Sequence, residues 1–219
     1  MKLYAFPLSP FSAKARIALA EKGLDCEIVD VPTSRAGIVS KPAELLAINP
    51  RGQVPVLVDG ELGLYDSTVI LEYLEDRFPA PPLYPRDVAG RARCRQLEDA
   101  GDDATSGPMV ALVAEIWRKS DPAARDAAKI ADAKASLAAL AERLERSLKG
   151  REYVCGDFSV ADVACYIPLA MCALLGAPTP ESLAGVRAWQ ARMAARPSIA
   201  RDTAMMLADA QRLGGAPTR

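Results

Sequence analysis

Ser9-Pro10-Phe11-Ser12 stands between a short strand-like run, Lys2 to Phe6, and a helical run, Ser12 to Lys22. At such a junction the unpaired N–H groups and the positive end of the helix converge, so a thiol held there is favoured as its thiolate. A hydroxyl at Ser9 can donate a hydrogen bond to that sulfur and stabilise the anion further. The four residues occupy the place of a C-P-x-C redox pair with hydroxyls in both positions. This turn can therefore activate a thiol arriving from solution, but it cannot cycle between dithiol and disulfide. The plainer reading is that Ser9 and Ser12 only cap a helix.

Two further constellations follow in order. A proline that opens a strand, as in Gln53-Val54-Pro55, cannot donate to a sheet ladder. With a cis bond it turns the Val54 N–H and C=O outward, where a peptide-like ligand can pair with them; a trans proline on an edge strand is the alternative. Asp66-Ser67 opens a helix, and a helix N-terminus with a serine hydroxyl suits a carboxylate. The Asp66 carboxylate suits an ammonium group, although most such dipeptides are ordinary N-caps. Lys41, just before a short helix, is a candidate carboxylate partner, or else a solvated surface charge. A small thiol peptide with a free amino-acid end would use every one of these groups.

Bulk properties narrow the classes. The 27 Lys plus Arg balance 28 Asp plus Glu, for a formal net charge of -1, so nothing electrostatic points to nucleic acid or an anionic membrane. No His occurs, which removes a Ser-His-Asp triad, an imidazole base and any histidine metal site. The five cysteines (26, 94, 155, 165, 172) include no CxxC and read as free thiols of a reducing, cytoplasmic compartment. Cys155 reads as a small buried apolar residue, because nothing basic flanks it closely. The N-terminus shows no secretory pattern. The uncharged stretch from Val163 to Pro180 is interrupted by Pro168 and Gly176, so it reads as a buried helix rather than a membrane span.

The elements that must position these groups follow from periodicity. Lys2–Phe6 and Asp25–Val31 read as strands around the helix Ser12–Lys22, a parallel βαβ unit. Lys41–Ile48 reads as a short helix. Val54–Val58 and Gly63–Tyr65 read as a hairpin turning at Asp59-Gly60. Ser67–Phe78 reads as a helix capped by Asp66 or Ser67, with Val69, Ile70, Tyr73, Leu74 and Phe78 on its inner face. The sum is a thioredoxin-like domain over residues 1–79. Four prolines between 79 and 85 predict a stiff linker, 80–87.

Residues 88–219 then predict an all-helical domain. Its expected helices are Val88–Lys119 bent at Gly107-Pro108, Pro122–Leu148 buried along Leu137, Leu140, Leu144 and Leu148, Val160–Leu175, Pro180–Ala195 and Pro197–Leu207. Ser159 and Asp162 form a capping-box pattern, with Phe158 placed to staple the entry.

With its motifs in order, the chain resembles the cytosolic glutathione S-transferases over nearly its whole length. The resemblance rests on Ser9–Ser12 running into Arg16–Gly23, on Asn49-Pro50-Arg51-Gly52-Gln53-Val54-Pro55, on Asp66–Ile70 and on Gly156–Asp162. It implies that Ser9 activates the thiol of glutathione, the cosubstrate, as in serine-type, tau-like and bacterial members. Glutathione would be held by Phe11, Lys41, Gln53, Val54, Pro55, Asp66 and Ser67. It further implies a small hydrophobic electrophile in a pocket between the domains, with Leu8, Ala104, Pro108, Met109 and Leu112 as candidate lining. No metal is implied, and a homodimer is. Conjugation is the expected reaction. Isomerase, peroxidase or disulfide reductase activity, or a non-catalytic carrier on the same fold, are the alternatives.

Overall fold

The computed structural model describes residues 1–214; the last five residues of the expected helical domain lie outside them. The chain divides into two compact units. Met1–Leu83 together with the last helix, Pro197–Arg212, forms the first, and Tyr84–Arg196 forms the second. A contiguous helical domain from residue 88 onward would leave that helix with the second unit; its contacts lie with the first.

In the first unit, Lys2–Ala5 (β1) pairs in parallel with Glu27–Asp30 (β2) across the helix Pro10–Glu21 (α1). β1 also pairs antiparallel with Val56–Asp59 (β5), which turns at Gly60 into Leu62–Tyr65 (β6). Gly60 lies at φ +61°, a conformation that suits glycine in a tight turn. The sheet order β2-β1-β5-β6 is the thioredoxin-like layout. A two-residue ladder, Thr33–Ser34 (β3) with Gly37–Ile38 (β4), lies between β2 and the short helix Ala43–Ile48 (α2).

Alternation along the strands decides the two faces. Tyr4 and Val56 join Val31 and Leu45 in one buried cluster on the α2 side. Leu3, Ala5 and Leu57, at 0% exposure, point the other way. The helix Ser67–Arg77 (α3) packs on α1 and buries Ile70, Leu71 and Leu74. Val69, expected on that inner face, is 48% exposed. The buried stripe is rotated by one position, to Ser67, Ile70, Leu71, Leu74 and Glu75.

The last helix (α9) runs to Arg212, five residues beyond its expected end, and packs on α1. Asp202 of α9 reaches the Arg16 guanidinium at 2.6 Å, and both side chains are less than a tenth exposed.

The second unit opens with Val88–Ala104 (α4). Wide π-helical turns at Thr105–Met109 and Val113–Arg118 flank the single α-turn Val110–Leu112 (α5). The distortion falls where Gly107-Pro108 predicts it, because Pro108 has no N–H for the ladder. A short 3₁₀ turn, Pro122–Ala124, precedes Ala127–Ser147 (α6), which buries Leu137, Leu140 and Leu144; Leu148, its C-cap, is also buried. Val160–Leu174 (α7) crosses α4 at Gly101, where an added Cβ would lie 2.5 Å from the Ala164 carbonyl carbon. Ala184–Ala194 (α8) starts four residues later than expected, since Pro180–Leu183 form a turn.

Candidate functional site

Strand register assembles the site. At one end of the sheet Tyr4 lies opposite Val56, and Val56 opposite Tyr65. From that end β1 runs on to Ser9, β5 is entered from Val54-Pro55, and β6 runs on into Asp66-Ser67. Three segments far apart in sequence therefore meet at one sheet edge. The Val54–Pro55 bond is cis, the first of the two alternatives open at the sequence level. β5 begins only at Val56, so the Val54 backbone lies outside the ladder.

Ser9 is the N-cap of α1: its Oγ accepts the Ser12 N–H at 3.1 Å. It is buried, at 3% exposure, and its hydroxyl proton has no acceptor among the described residues. Ser12, expected to be the cap, is not. Its side chain is fully buried, and its Oγ has no hydrogen-bond partner among the described residues. The sequence could not separate the two serines, because Pro10 suits the first helical turn wherever the cap lies.

The turn that carries Ser9 is held from behind by Arg16. Its guanidinium donates to the Phe6 and Pro7 carbonyls at 3.1 Å each and to both carboxylate oxygens of Asp202, at 2.6 and 3.2 Å. Sequence reasoning gave Arg16 no role, since its partner lies 186 residues away.

Asp66 caps α3, its carboxylate accepting the Thr68 and Val69 N–H groups at 3.0 and 3.4 Å. It is the one non-glycine residue at positive φ (+77°) among the described residues, a strained backbone of the kind that collects at ligand clamps. Ser67 beside it is buried. Lys14, 2% exposed on α1, reaches the Thr68 hydroxyl at 3.3 Å and so brings a cation to this helix start. It too was missed, because a lysine on a helix reads as solvated.

Lys41 and Gln53 are brought together by a loop that Asn49 organises. The Asn49 side chain donates to the Gln53 carbonyl at 3.0 Å and accepts the Arg51 N–H at 3.2 Å. Gly52, at φ +63°, lets the Lys41 side chain lie across it; a Cβ there would sit 2.5 Å from the Lys41 Cδ. Phe11 and Leu8, either side of Ser9 in sequence, are half-buried. In the second unit Ala104, Met109 and Leu112 are buried, Leu112 completely, while Pro108 is half-buried.

Cys155 departs from its expected character. It is half-buried rather than buried, and its neighbour is the Cys94 thiol. That thiol, more than burial, decides its acidity and holds the Cys155 thiol below its ordinary value, with Ser159 and Arg151 acting in the same direction. Phe158 meets Tyr153 edge-on and lies under the Arg196 guanidinium. The Ser159–Asp162 capping box forms as expected. Among the described residues no helix is long and apolar enough to cross a membrane, and no His/Cys/Asp/Glu group is suited to a metal.

Comparison with known proteins decides the family. Residues 3–82 match the model of the glutathione S-transferase N-terminal domain, and residues 108–197 that of the C-terminal domain. The chain belongs to the glutathione S-transferase family. Glutathione S-transferase 3 of Zea mays is 32% identical over 213 residues, 93% of each chain. Local matches are higher but shorter. The stringent starvation protein A homolog of Coxiella burnetii is 45% identical over 98 residues, 44% of each chain. Maleylacetoacetate isomerase of Pseudomonas aeruginosa is 46% identical over 97 residues, 43% of this chain and 45% of that protein. The chain thus spans under half the length of several curated relatives it matches. A glutathione S-transferase of Methylobacillus flagellatus, solved with glutathione bound, superposes at a TM-score of 0.76 with 29% identity, covering 92% of this chain and 98% of that one. The family is glutathione-dependent, and its relatives carry both transferase and isomerase names.

Proposed function

We propose that the chain is a serine-type glutathione transferase, in which Ser9 holds the glutathione sulfur as a thiolate for attack on a small hydrophobic electrophile. The observation that carries this reading is the hydrogen-bonding of Ser9. Its oxygen is taken by the Ser12 N–H, which leaves its proton to be donated outward. A cysteine thiol begins near pKa ~8.5, so one hydrogen bond and the α1 N-terminus suffice to make thiolate abundant at neutral pH.

The other residues leave uncommitted what a glutathione ligand needs. The Val54 N–H and C=O lie outside the ladder and can pair with a cysteinyl backbone, with Pro55 fixing the turn. Asp66 keeps a second carboxylate oxygen for an ammonium group. The Ser67 hydroxyl and N–H at the start of α3 suit a carboxylate, and Lys41 with Gln53 suits the other carboxylate. Leu8 and Phe11 offer half-buried apolar surface beside Ser9 for glutathione or the electrophile.

Replacing Ser9 by Ala should lower kcat/KM for conjugation of a model aryl halide about a hundredfold, the scale for removing one donor to a reacting anion. Glutathione affinity should change little. Undiminished conjugation in that variant rules out the role of Ser9. A second reading, a glutathione-dependent isomerase, is favoured by the match to maleylacetoacetate isomerase. It uses the same thiolate on an unsaturated acid, and a substrate panel assayed with the native protein separates the two.

A further inference from the structure

The second unit carries a thiol pair that the Ser9 site does not use. Cys94 on α4 is fully buried, and Cys155 lies in the tight bridge turn Tyr153–Asp157, half-buried. The two thiols are neighbours, each the leading influence on the other's acidity, and Ser159, whose hydroxyl donates to Asp162 at 2.9 Å, lies beside them. Cys155 also lines a cavity of about 360 Å³, within the range of small-molecule sites. Three arginines line the same cavity: Arg93 from α4, Arg143 from α6 and Arg151 beyond it. Among the described residues none of the three guanidinium groups has a hydrogen-bond or ion-pair partner; the bonds that Arg143 and Arg151 make are backbone ones. The one carboxylate on the lining, Asp87, is engaged as the N-cap of α4 through the Gly90 N–H at 2.8 Å. The cavity is therefore cationic and has a nucleophile on its wall with a second thiol behind it.

We propose that Cys155 and Cys94 form a redox-active dithiol that reduces an anionic disulfide admitted by this cavity, with glutathione disulfide as the fitting member of that class. The Cys155 thiolate attacks one sulfur of the disulfide, forming a mixed disulfide and expelling one glutathione thiolate, which takes up a proton. The Cys94 thiol then loses its proton and attacks the Cys155 sulfur, releasing the second glutathione and leaving a Cys94–Cys155 disulfide. Two protein thiols are oxidised, one disulfide is reduced, and two glutathione thiols are formed. Arg151 and the Cys94 thiol favour the attacking thiolate; the buried Asp162 carboxylate opposes it. Cys94 is held as the thiol, chiefly by the neighbouring Cys155 and by burial, so the first attack falls to Cys155.

The experiment treats the reduced full-length protein with glutathione disulfide or with hydroxyethyl disulfide, a neutral counterpart, and maps the thiols by mass spectrometry. The wild-type chain should acquire a Cys94–Cys155 disulfide and release two glutathione molecules. Cys94→Ser should stop at a glutathionyl adduct on Cys155. Arg143→Gln should slow the reaction of glutathione disulfide about tenfold more than that of the neutral disulfide, the scale of electrostatic steering into a charged cleft. The proposal is overturned if Cys94 and Cys155 stay reduced while the half-buried Cys26 reacts. It is equally overturned if the wild-type adduct on Cys155 persists unresolved, or if Arg143→Gln slows both disulfides alike. The wild-type map alone decides the pairing, so the conclusion does not depend on a variant that folds poorly.

Discussion

Ser12 is the residue whose position most constrains the chemistry around Ser9. A buried hydroxyl without a partner costs about 1–3 kcal/mol relative to one that is hydrogen-bonded. Alanine removes that group and is the better helix former by about 0.5 kcal/mol. Ser12→Ala should therefore leave the thermal midpoint unchanged or raise it, and a midpoint lowered by several degrees would show that the hydroxyl is satisfied after all. At this scale the sequence was readable where chemistry is local. Asp66 and Ser159 could be placed at helix starts from their neighbours alone, and the Ser9–Ser12 turn could be placed at one without telling which serine caps it. Arg16, Lys14 and Asn49 could not, because a buried polar side chain is justified by partners that no local pattern reveals.

Among the elements, the α4–α7 crossing rests on Gly101. An Ala at this helical position gains about 1 kcal/mol in propensity. Its Cβ would lie 2.5 Å from the Ala164 carbonyl carbon, a backbone atom that cannot rotate aside. Overpacking of this kind costs about 1–3 kcal/mol, so Gly101→Ala should be destabilising despite the better helix former, read as a lower urea midpoint by Trp117 and Trp189 fluorescence.

The join between the Val113–Arg118 turns and α6 depends on Glu115, which accepts the Asp126 N–H at 2.8 Å and pairs with Lys119 at 2.6 Å. These bonds, the Asp126 N–H first, hold its carboxyl below the ordinary value. A depressed folded pKa gives stability that is fully present above the unfolded value, ~4.3, and lost as pH falls through the folded one. Glu115→Gln should thus lower the midpoint at pH 7, and the gap to wild type should close as pH falls below about 4. A constant gap across that range would refute this.

Helix existence was legible throughout the second unit from spacing and caps. The β3–β4 ladder was not, since two residues a side cannot show alternation. The late start of α8 was hidden as well, because Pro180 serves a turn as readily as a first helical turn.

At the scale of the molecule, the return of α9 to the first unit is what sequence periodicity did not disclose. An amphipathic helix announces that it has a buried face but not which unit buries it. Ile199, Asp202 and Met206 are nearly inaccessible. A chain ending at Arg196 takes the Asp202 carboxylate from Arg16 and uncovers the face of α1 on which α9 packs. In hydrogen exchange the amides of α1 should lose protection in that shortened chain; unchanged protection would mean that Asp202 does not support the turn.

The Arg16–Asp202 pair also carries a timing consequence. A ribosome delivers Asp202 to the chain 186 residues after Arg16, so the segment that steadies Ser9 stays without its counter-charge for all of that interval. Domains emerging from the ribosome generally settle from the N-terminus onward. Here the order is inverted for this contact: the nascent chain acquires the sheet of the first unit early, and the Ser9 turn gains its Asp202 support only after α9 has left the exit tunnel.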